Sequence, residues 1–533
     1  MRKFSSYGPV DTDLHYYAPR KALFDQTLTH LLGENPAKGG HYITVWAPRQ
    51  TGKTWLMQQV LLRLQTDEPY QGFTVAKINL QHLAGEQDIG EIVKSITTRL
   101  AEALGKSLPE PDTLKDFESI FHHNTLDKPL ILILDEFDAL TEEAIAGLAN
   151  VFRNIYISRQ DQLTKTTAAK DYLLHSVALI GIRAVLGVEN VSGSPFNVQR
   201  SLHIPNLTFA EIEGMFKWYE QESGQRVEPA VIERLFYETQ GQPGLTCWFG
   251  ELLTETYNQT AGKPITPDNF AEVYAAALNV LPNNHILNII SKAKQEPYKQ
   301  FVLEMFKMDE KIPFRYDDSR ISFLYLNGVV DWEKESKTEH YLKFACPFAQ
   351  KRLFNYFAYE LFPEMGQLHD PFDRLEDTIT EDSLNIKNLM RRYEGYLRQN
   401  RDWLFKDAPR KTNLRLYEAV YHFNLYMYLV RFLQRRGGQV YPEFPTGNGK
   451  VDLIIKYAGQ TYGLELKSYT DTFDYQSALK QAARYGRQLH LSEISLLFFV
   501  EVIDEASRKK YELPYVDAEM GITVVPIFIG TSA

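Results

Sequence analysis

The stretch YITVWAPRQTGKTWLMQQVLLRL (42–64) decides the fold of the first half of the chain. The β-type run YITVW (42–46) leads into APRQTGKT (Ala47 to Thr54), and helical spacing follows to about residue 66. Strand, loop and helix in that order are what a phosphate-binding loop needs, because loop N–H groups and the helix N-terminus then face one anion. Gly52 lets the backbone approach the phosphates, and Ala47, Pro48, Arg49, Gln50 and Thr51 supply the rest of the cradle. Lys53 would place its ammonium on the β and γ phosphates of ATP, and Thr54 would give its hydroxyl to Mg²⁺. Ala47 stands where many such loops have Gly, which is tolerated at negative φ.

Working outward, β-type runs at FTVAKINL (73–80), LILIL (130–134) and SVALIGI (176–182) alternate with helical spacing near 54–66, 88–105 and 141–157. Apolar strands alternating with helices predict a buried parallel sheet covered on both faces, over residues 41–205. LILILDEFD (130–138) delivers Asp135 at the carboxyl end of its strand, where ligands of parallel sheets bind. Asp135 would hold Mg²⁺ through water, and Glu136 would polarise the attacking water.

The rest of the chain divides by composition into an α/β multidomain arrangement. Residues 1–40 are a lead-in whose helical spacing follows Pro19 and stops at GENPAKGG (33–40). Residues 206–275 are helical, with a capping-box signal at Thr208 and Glu211 and a break at TQGQPGL (239–245). Residues 276–365 read as helices, strand, charged turn and strand, the order of a winged helix. Residues 366–410 read as a helical linker, and 411–533 as a second α/β unit. Two cysteines, Cys247 and Cys346, make neither a disulfide framework nor a metal-ligand spacing, which suits a reducing, cytoplasmic setting. The start lacks the apolar stretch of a signal peptide, and no run reaches the ~18 apolar residues of a spanning helix. Net charge is −10, so any nucleic-acid contact has to come from local basic patches.

A second constellation lies in VDLIIKYAGQTYGLELK (451–467). A two-residue turn at Ala458 and Gly459 sets Tyr457 against Gln460 and, counting outward, Asp452 against Glu465. Opposed residues have Cβ atoms roughly 4.5–5.5 Å apart, so two carboxylates there repel unless a cation such as Mg²⁺ bridges them. Glu465 and Lys467 are two apart and share a face, while Leu464 and Leu466 point to a core. A metal at Asp452 and Glu465 would lower the pKa of its water, and Lys467 would orient that water or stabilise developing charge.

These motifs carry two resemblances. The first half resembles the signal-transducing P-loop ATPases of the AAA-like and STAND type. That resemblance implies a sensor at Arg183, in IGIR, and the Gly-x-Pro motif of a helical lid at Gly241 and Pro243 of GQPG. It also gives SPFNV (194–198) as a loop of a bacterial subgroup, Arg20 as an arginine near the base, and Arg153, Arg159 and Arg200 as open choices for an arginine finger. The last part resembles the PD-(D/E)XK nuclease fold, with Asp452, then Glu465 and Lys467 as E-x-K, and Val451 where Pro is common. Members often add an upstream glutamate, for which Glu418 on a helix and Glu443 on the first strand are both candidates. A RecB-like subgroup adds Gln-x-x-x-Tyr, matched by Gln481 and Tyr485; Lys480, Arg484 and Arg487 on that helix could meet phosphates.

Together the resemblances imply a bacterial ATP-dependent, Mg²⁺- or Mn²⁺-dependent nuclease acting on DNA, able to assemble as a homo-oligomer and linked to defence against phages and mobile elements. They imply a winged helix that reports nucleotide state more than it binds DNA. Two other readings share the residues: a STAND-type switch whose tail binds nucleic acid or a partner without cutting, and a DNA repair or recombination ATPase.

Overall fold

The computed structural model describes residues 1–8, 10–181, 200–260, 262–306, 311–370, 372–406, 418–444, 452–468 and 472–531. Contacts divide the chain into two units, Met1–His285 with Arg315–Gly328, and Ile286–Phe314 with Val329–Ala533.

The first unit is built on strands β1 (Tyr42–Trp46), β2 (Thr74–Asn79), β3 (Leu130–Asp135), β4 (Leu174–Gly181) and β5 (Arg200–His203). They form one sheet in the order β2-β3-β4-β1-β5, and every pairing is parallel. The pleat splits the apolar residues between two cores. Leu130, Leu132 and Leu134 of β3 join a cluster with Ile92, Ile96 and Phe152. Ile131 and Ile133 join another with Met57, Val60 and Leu31. A strand buried on both faces loses its alternation of polar and apolar residues, which is why LILIL reads as an unbroken run. Truncating such a residue, for example Leu132→Ala, costs about 2–5 kcal/mol.

Helices Lys53–Thr66, Ile89–Leu104 and Glu142–Gln160 cover the sheet. Their ends follow from local chemistry. Asp88 accepts from the N–H groups of Gly90 and Glu91, and Gly105 closes the same helix in the left-handed region. The last helix runs past the expected 157 to Gln160, and Arg159 in its final turn points inward and donates to Thr167 Oγ1 at 2.7 Å. The expected capping box at Thr208 and Glu211 opens helix Phe209–Ser223. Strand β5 is absent from the sequence reading; four residues with one buried side chain carry too little pattern to reveal it.

Residues 276–365 are shared between the two units. Along the chain they give helices Asn284–Ala293, Tyr298–Met305 and Ser319–Leu326, then strands β6 (Val330–Lys334) and β7 (His340–Phe344) as an antiparallel pair.

The second unit holds a mixed sheet of β8 (Gln439–Glu443), β9 (Asp452–Tyr457), β10 (Gln460–Ser468), β11 (Glu493–Val500), β12 (Tyr515–Asp517) and β13 (Ile522–Gly530). Its order is β12-β13-β11-β10-β9-β8. The chain enters through helix Glu418–Gln434, crosses β8, β9 and β10 antiparallel, passes through helix Thr472–Gln488 and returns in β11 parallel to β10. The turn between β9 and β10 is the two residues Ala458 (φ 48°) and Gly459 (φ 74°). Positive φ at both central positions is the conformation that matches the twist of a tight hairpin.

The stretch 366–410, expected to link, does not behave as a linker. Its helix Ile386–Leu404 buries Leu389, Met390, Tyr393 and Tyr396. Glu394 accepts from the Gly530 N–H at 2.9 Å, and Arg391 donates to the Phe528 carbonyl at 2.7 Å. It is therefore part of the second unit, tied to the end of β13. Among the described residues, no helix is long and apolar enough to cross a membrane.

Candidate functional site

In the first unit the loop after β1 turns through Gln50 (φ 59°) and Gly52 (φ 90°) into helix Lys53–Thr66. At Gly52 a side chain would meet open space, so the backbone angle alone demands glycine. Lys53 Nζ donates to the carbonyls of Ala47 and Pro48, both at 2.8 Å, and Thr51 Oγ1 donates to Pro48 O at 2.9 Å. The loop is thus held from within. Burial lowers the Lys53 pKa to about 8, against the pull of Glu136, Asp138 and Asp135 towards the charged form.

The acidic partners stand at the carboxyl end of β3. Asp135 is 1% exposed. Its Oδ1 accepts from the Glu136 N–H at 3.1 Å. Its Oδ2 is buried without a well-aligned hydrogen bond, 3.0 Å from the ammonium of Lys77 on β2. Glu136 is held at φ 56°, an uncommon place for a residue with a side chain. Burial first, then Asp138 and Asp135, push its carboxyl above the usual carboxylate range. Asp138 is a neighbour that the sequence motif does not single out. Its carboxylate lies where a side chain at Gly181, the end of β4, would collide at 2.8 Å.

The GQPG stretch meets the loop directly. Gly244 N–H donates to Gln50 O at 3.1 Å, and Gln242 Nε2 to Arg49 O at 3.2 Å. Gly241 has φ 70° and faces Leu207 O so closely that a Cβ would lie 1.9 Å away. Pro243 lines an apolar pocket with Tyr17, Arg20, Thr51, Gly52 and Trp55. Arg20 is anchored there by Pro205 O at 2.8 Å and by Glu211 at 3.5 Å.

The other arginines separate. Arg159 is 3% exposed, bonded to Thr167 Oγ1 and Tyr172 O, and so forms part of the interior and cannot serve as a finger. Arg200 pairs with Glu34 at 2.7 Å, and Arg153 is half-buried on its helix. Arg183 and SPFNV lie outside the described residues.

Parts of the stretch 276–365 also reach this site. A side chain at Gly328 would touch Pro48 at 2.9 Å and His285 at 3.8 Å. His285 is 3% exposed, and burial, with the Lys53 charge, lowers its pKa to about 4.

In the second unit the hairpin register is Gln460↔Tyr457 at the turn and Glu465↔Asp452 at the far end, as the two-residue turn requires. The next strand continues the row, with Glu443 opposite Asp452. Asp452 and Glu465 are buried, as are Leu464 and Leu466, which alternate with Glu465 along β10. Lys467 Nζ lies 3.3 Å from Glu465 and donates to Gln481 Oε1 at 3.0 Å. Glu465, Lys467 and Gln481 therefore form one connected group, with Asp452 opposite Glu465 in the register. Tyr485 instead has its ring in the apolar core with Ile494 and Leu496. Glu443 pairs at 2.8 Å with Lys351, whose side chain is 1% exposed. Glu418 begins its helix, and its side chain lies outside the described residues. Among the described residues, no group of three or more His, Cys, Asp or Glu is placed to hold a metal ion.

Residues 37–168 match the family model described as AAA domain. That stretch is a P-loop ATPase domain of AAA type. It spans β1, the loop, β2 and β3 with Asp135 and Glu136, so the phosphate loop and its acidic partners fall inside the match. No curated protein matches the chain.

Solved structures similar to the chain include the Walker-type ATPase PABY2304 of Pyrococcus abyssi. It is 14% identical, covers 66% of this chain and 99% of its own, and has a TM-score of 0.43. The Aeropyrum pernix ORC1 protein in complex with DNA is 15% identical, covers 63% and 92%, and has a TM-score of 0.33. Cdc6p from Pyrobaculum aerophilum is 16% identical, covers 67% and 97%, and has a TM-score of 0.35.

Proposed function

We propose that this chain is a nucleotide-gated, metal-dependent nuclease: its AAA domain binds and hydrolyses ATP, and its C-terminal unit cuts phosphodiester bonds in DNA. The observation that carries the second half is the register of β9 and β10, which sets Asp452 against Glu465 and leaves Lys467 between Glu465 and Gln481. The element order helix, three antiparallel strands, helix, parallel strand supports the PD-(D/E)XK reading.

Both sites fit a divalent cation by the chemistry of their donors. The buried Asp135 Oδ2, without a well-aligned hydrogen bond, suits a water of the Mg²⁺ shell, together with the Thr54 hydroxyl. Asp452 and Glu465, two facing carboxylates, suit Mg²⁺ or Mn²⁺, with Glu418, whose side chain lies outside the described residues, as a third acid. When bound, the cation supplies charge neutralisation and a more acidic water.

The chain's own residues do the rest. Loop N–H groups and Lys53 take the β and γ phosphates. Glu136, its carboxyl raised, is poised to accept a proton from the attacking water. Arg20, Trp55 and Pro243 border the apolar pocket beside the loop, which suits a base. Arg183 would sense the γ phosphate. In the second unit Gln481 fixes the Lys467 ammonium, which then orients water or meets developing negative charge at the scissile phosphate. Tyr485 would support that helix from the core side. The contacts of Gly244 and Gln242 with the loop, and of Gly328 with Pro48, are the places where nucleotide state would be reported.

One observation favours a second reading, a STAND-type switch whose tail binds nucleic acid or a partner without cleavage. Lys351 already pairs with Glu443, which leaves the carboxylate row one acid shorter. Mn²⁺ binding to the full chain separates the two. The nuclease reading expects affinity that is lost in Glu465→Gln; absence of affinity in the unaltered chain supports the switch. A role in defence, a cytoplasmic setting and homo-oligomeric assembly accompany the proposal.

A further inference from the structure

Asp135 has two oxygens, and each has a resident neighbour. Oδ1 accepts the Glu136 N–H at 3.1 Å, a backbone group that cannot leave without unfolding the turn. Oδ2 faces the Lys77 ammonium at 3.0 Å. Lys77 comes from β2, the strand beside β3, where the parallel register sets Lys77 against Ile133 and Asn79 against Asp135. The pair is mostly buried, with side-chain exposures of 17% for Lys77 and 2% for Asp135. Lys77 belongs to neither the phosphate loop nor the acidic motif.

We infer that Lys77 is a positioning residue of the nucleotide site: its ammonium is the resident counter-ion of Asp135, and a divalent ion has to displace it to use that carboxylate. This rests on Asp135 serving the metal of the ATPase site. An ammonium at Oδ2 occupies the place of the metal's water and repels the metal behind it, and of the two groups on the Asp135 oxygens only the lysine sits on a flexible stem. Lys77 therefore sets the Mg²⁺ concentration at which the site takes up metal with nucleotide.

The test uses the full chain and a fluorescent ATP analogue, with binding followed in EDTA and then at rising Mg²⁺. Lys77→Met and Lys77→Gln are expected to reach the half-maximal Mg²⁺ effect, each measured against its own binding in EDTA, at about tenfold lower Mg²⁺ than the unaltered chain. Lys77→Arg keeps the charge and is expected to keep the original midpoint. Asp135→Asn is expected to raise the midpoint, and Lys77→Met with Asp135→Asn to match Asp135→Asn alone. An unchanged or higher midpoint in folded Lys77→Met or Lys77→Gln overturns the inference. An unchanged midpoint in Asp135→Asn overturns the role of Asp135 itself. A measurement on the unaltered chain guards against variants that fail to fold: acylation of Lys77, read by mass spectrometry, should rise with ATP plus Mg²⁺ and stay level with ATP plus EDTA. No rise with Mg²⁺ overturns the inference.

Discussion

Gly244, in the first turn of helix Pro243–Glu251, donates its N–H to the carbonyl of Gln50 in the phosphate loop, at 3.1 Å. The approach leaves no room for a side chain: a Cβ at position 244 would lie 2.6 Å from Gln50 Oε1 and 2.7 Å from Gln50 Cβ. Gly244→Ala should therefore push the loop and this helix apart, at a cost of about 1–3 kcal/mol in stability and with weaker ATP binding. Gln50→Ala should recover part of both losses, because it removes most of the atoms that collide. Thermal unfolding and nucleotide titration of the two single variants and the double variant check this.

Lys53 links loop chemistry to pH. Burial holds its pKa at about 8, below the ordinary 10.5. Between those values the unfolded chain binds more protons at this site than the folded one, so stability rises with pH across the window. Below about pH 8 the ammonium is charged in both states and its burial cost is fully present. Lys53→Met removes that cost and should abolish ATP binding. In the absence of nucleotide, its stability advantage over the unaltered chain should be largest below pH 8 and shrink towards pH 10.5. Thermal melts across that range measure the difference.

Glu136→Gln should keep ATP binding and lower hydrolysis by about 10²–10⁴. The carboxyl is raised by burial and by its acidic neighbours, so hydrolysis should fall off with acid at a higher pH than an ordinary carboxylate would give. Single-turnover hydrolysis across pH, with binding measured in parallel, separates this from loss of nucleotide.

Asp452 and Glu465 face each other in a buried part of the sheet. With Mn²⁺, the unaltered chain should gain stability and Asp452→Asn should not. Glu443→Gln should have the smaller effect on metal-dependent stability, because Glu443 is paired with Lys351. Thermal melts with and without Mn²⁺ report all three.

The sequence was most legible where chemistry is local. Loop, strand and helix around Lys53 sit in consecutive residues, and β3 announces itself as an apolar run ending in Asp135. The β9–β10 register followed from turn arithmetic, since Ala458 and Gly459 fix every pairing out to Asp452 and Glu465. What escaped was set by contacts between distant residues. Lys77 meets Asp135 across neighbouring strands, and His285 and Gly328 reach the phosphate loop from far along the chain. Arg159 looks like any helix-end cation until Thr167 and Tyr172 fold over it. Helix Ile386–Leu404 reads as charged because its polar face dominates the composition, yet its other face is buried.

Incubation of the purified full chain with plasmid DNA, with and without ATP and with Mg²⁺ or Mn²⁺, tests the central claim most directly. The account predicts metal-dependent cleavage that responds to ATP, is lost in Asp452→Ala while ATP hydrolysis continues, and is lost with hydrolysis in Lys53→Ala. Cleavage by Asp452→Ala at the level of the unaltered chain would contradict it.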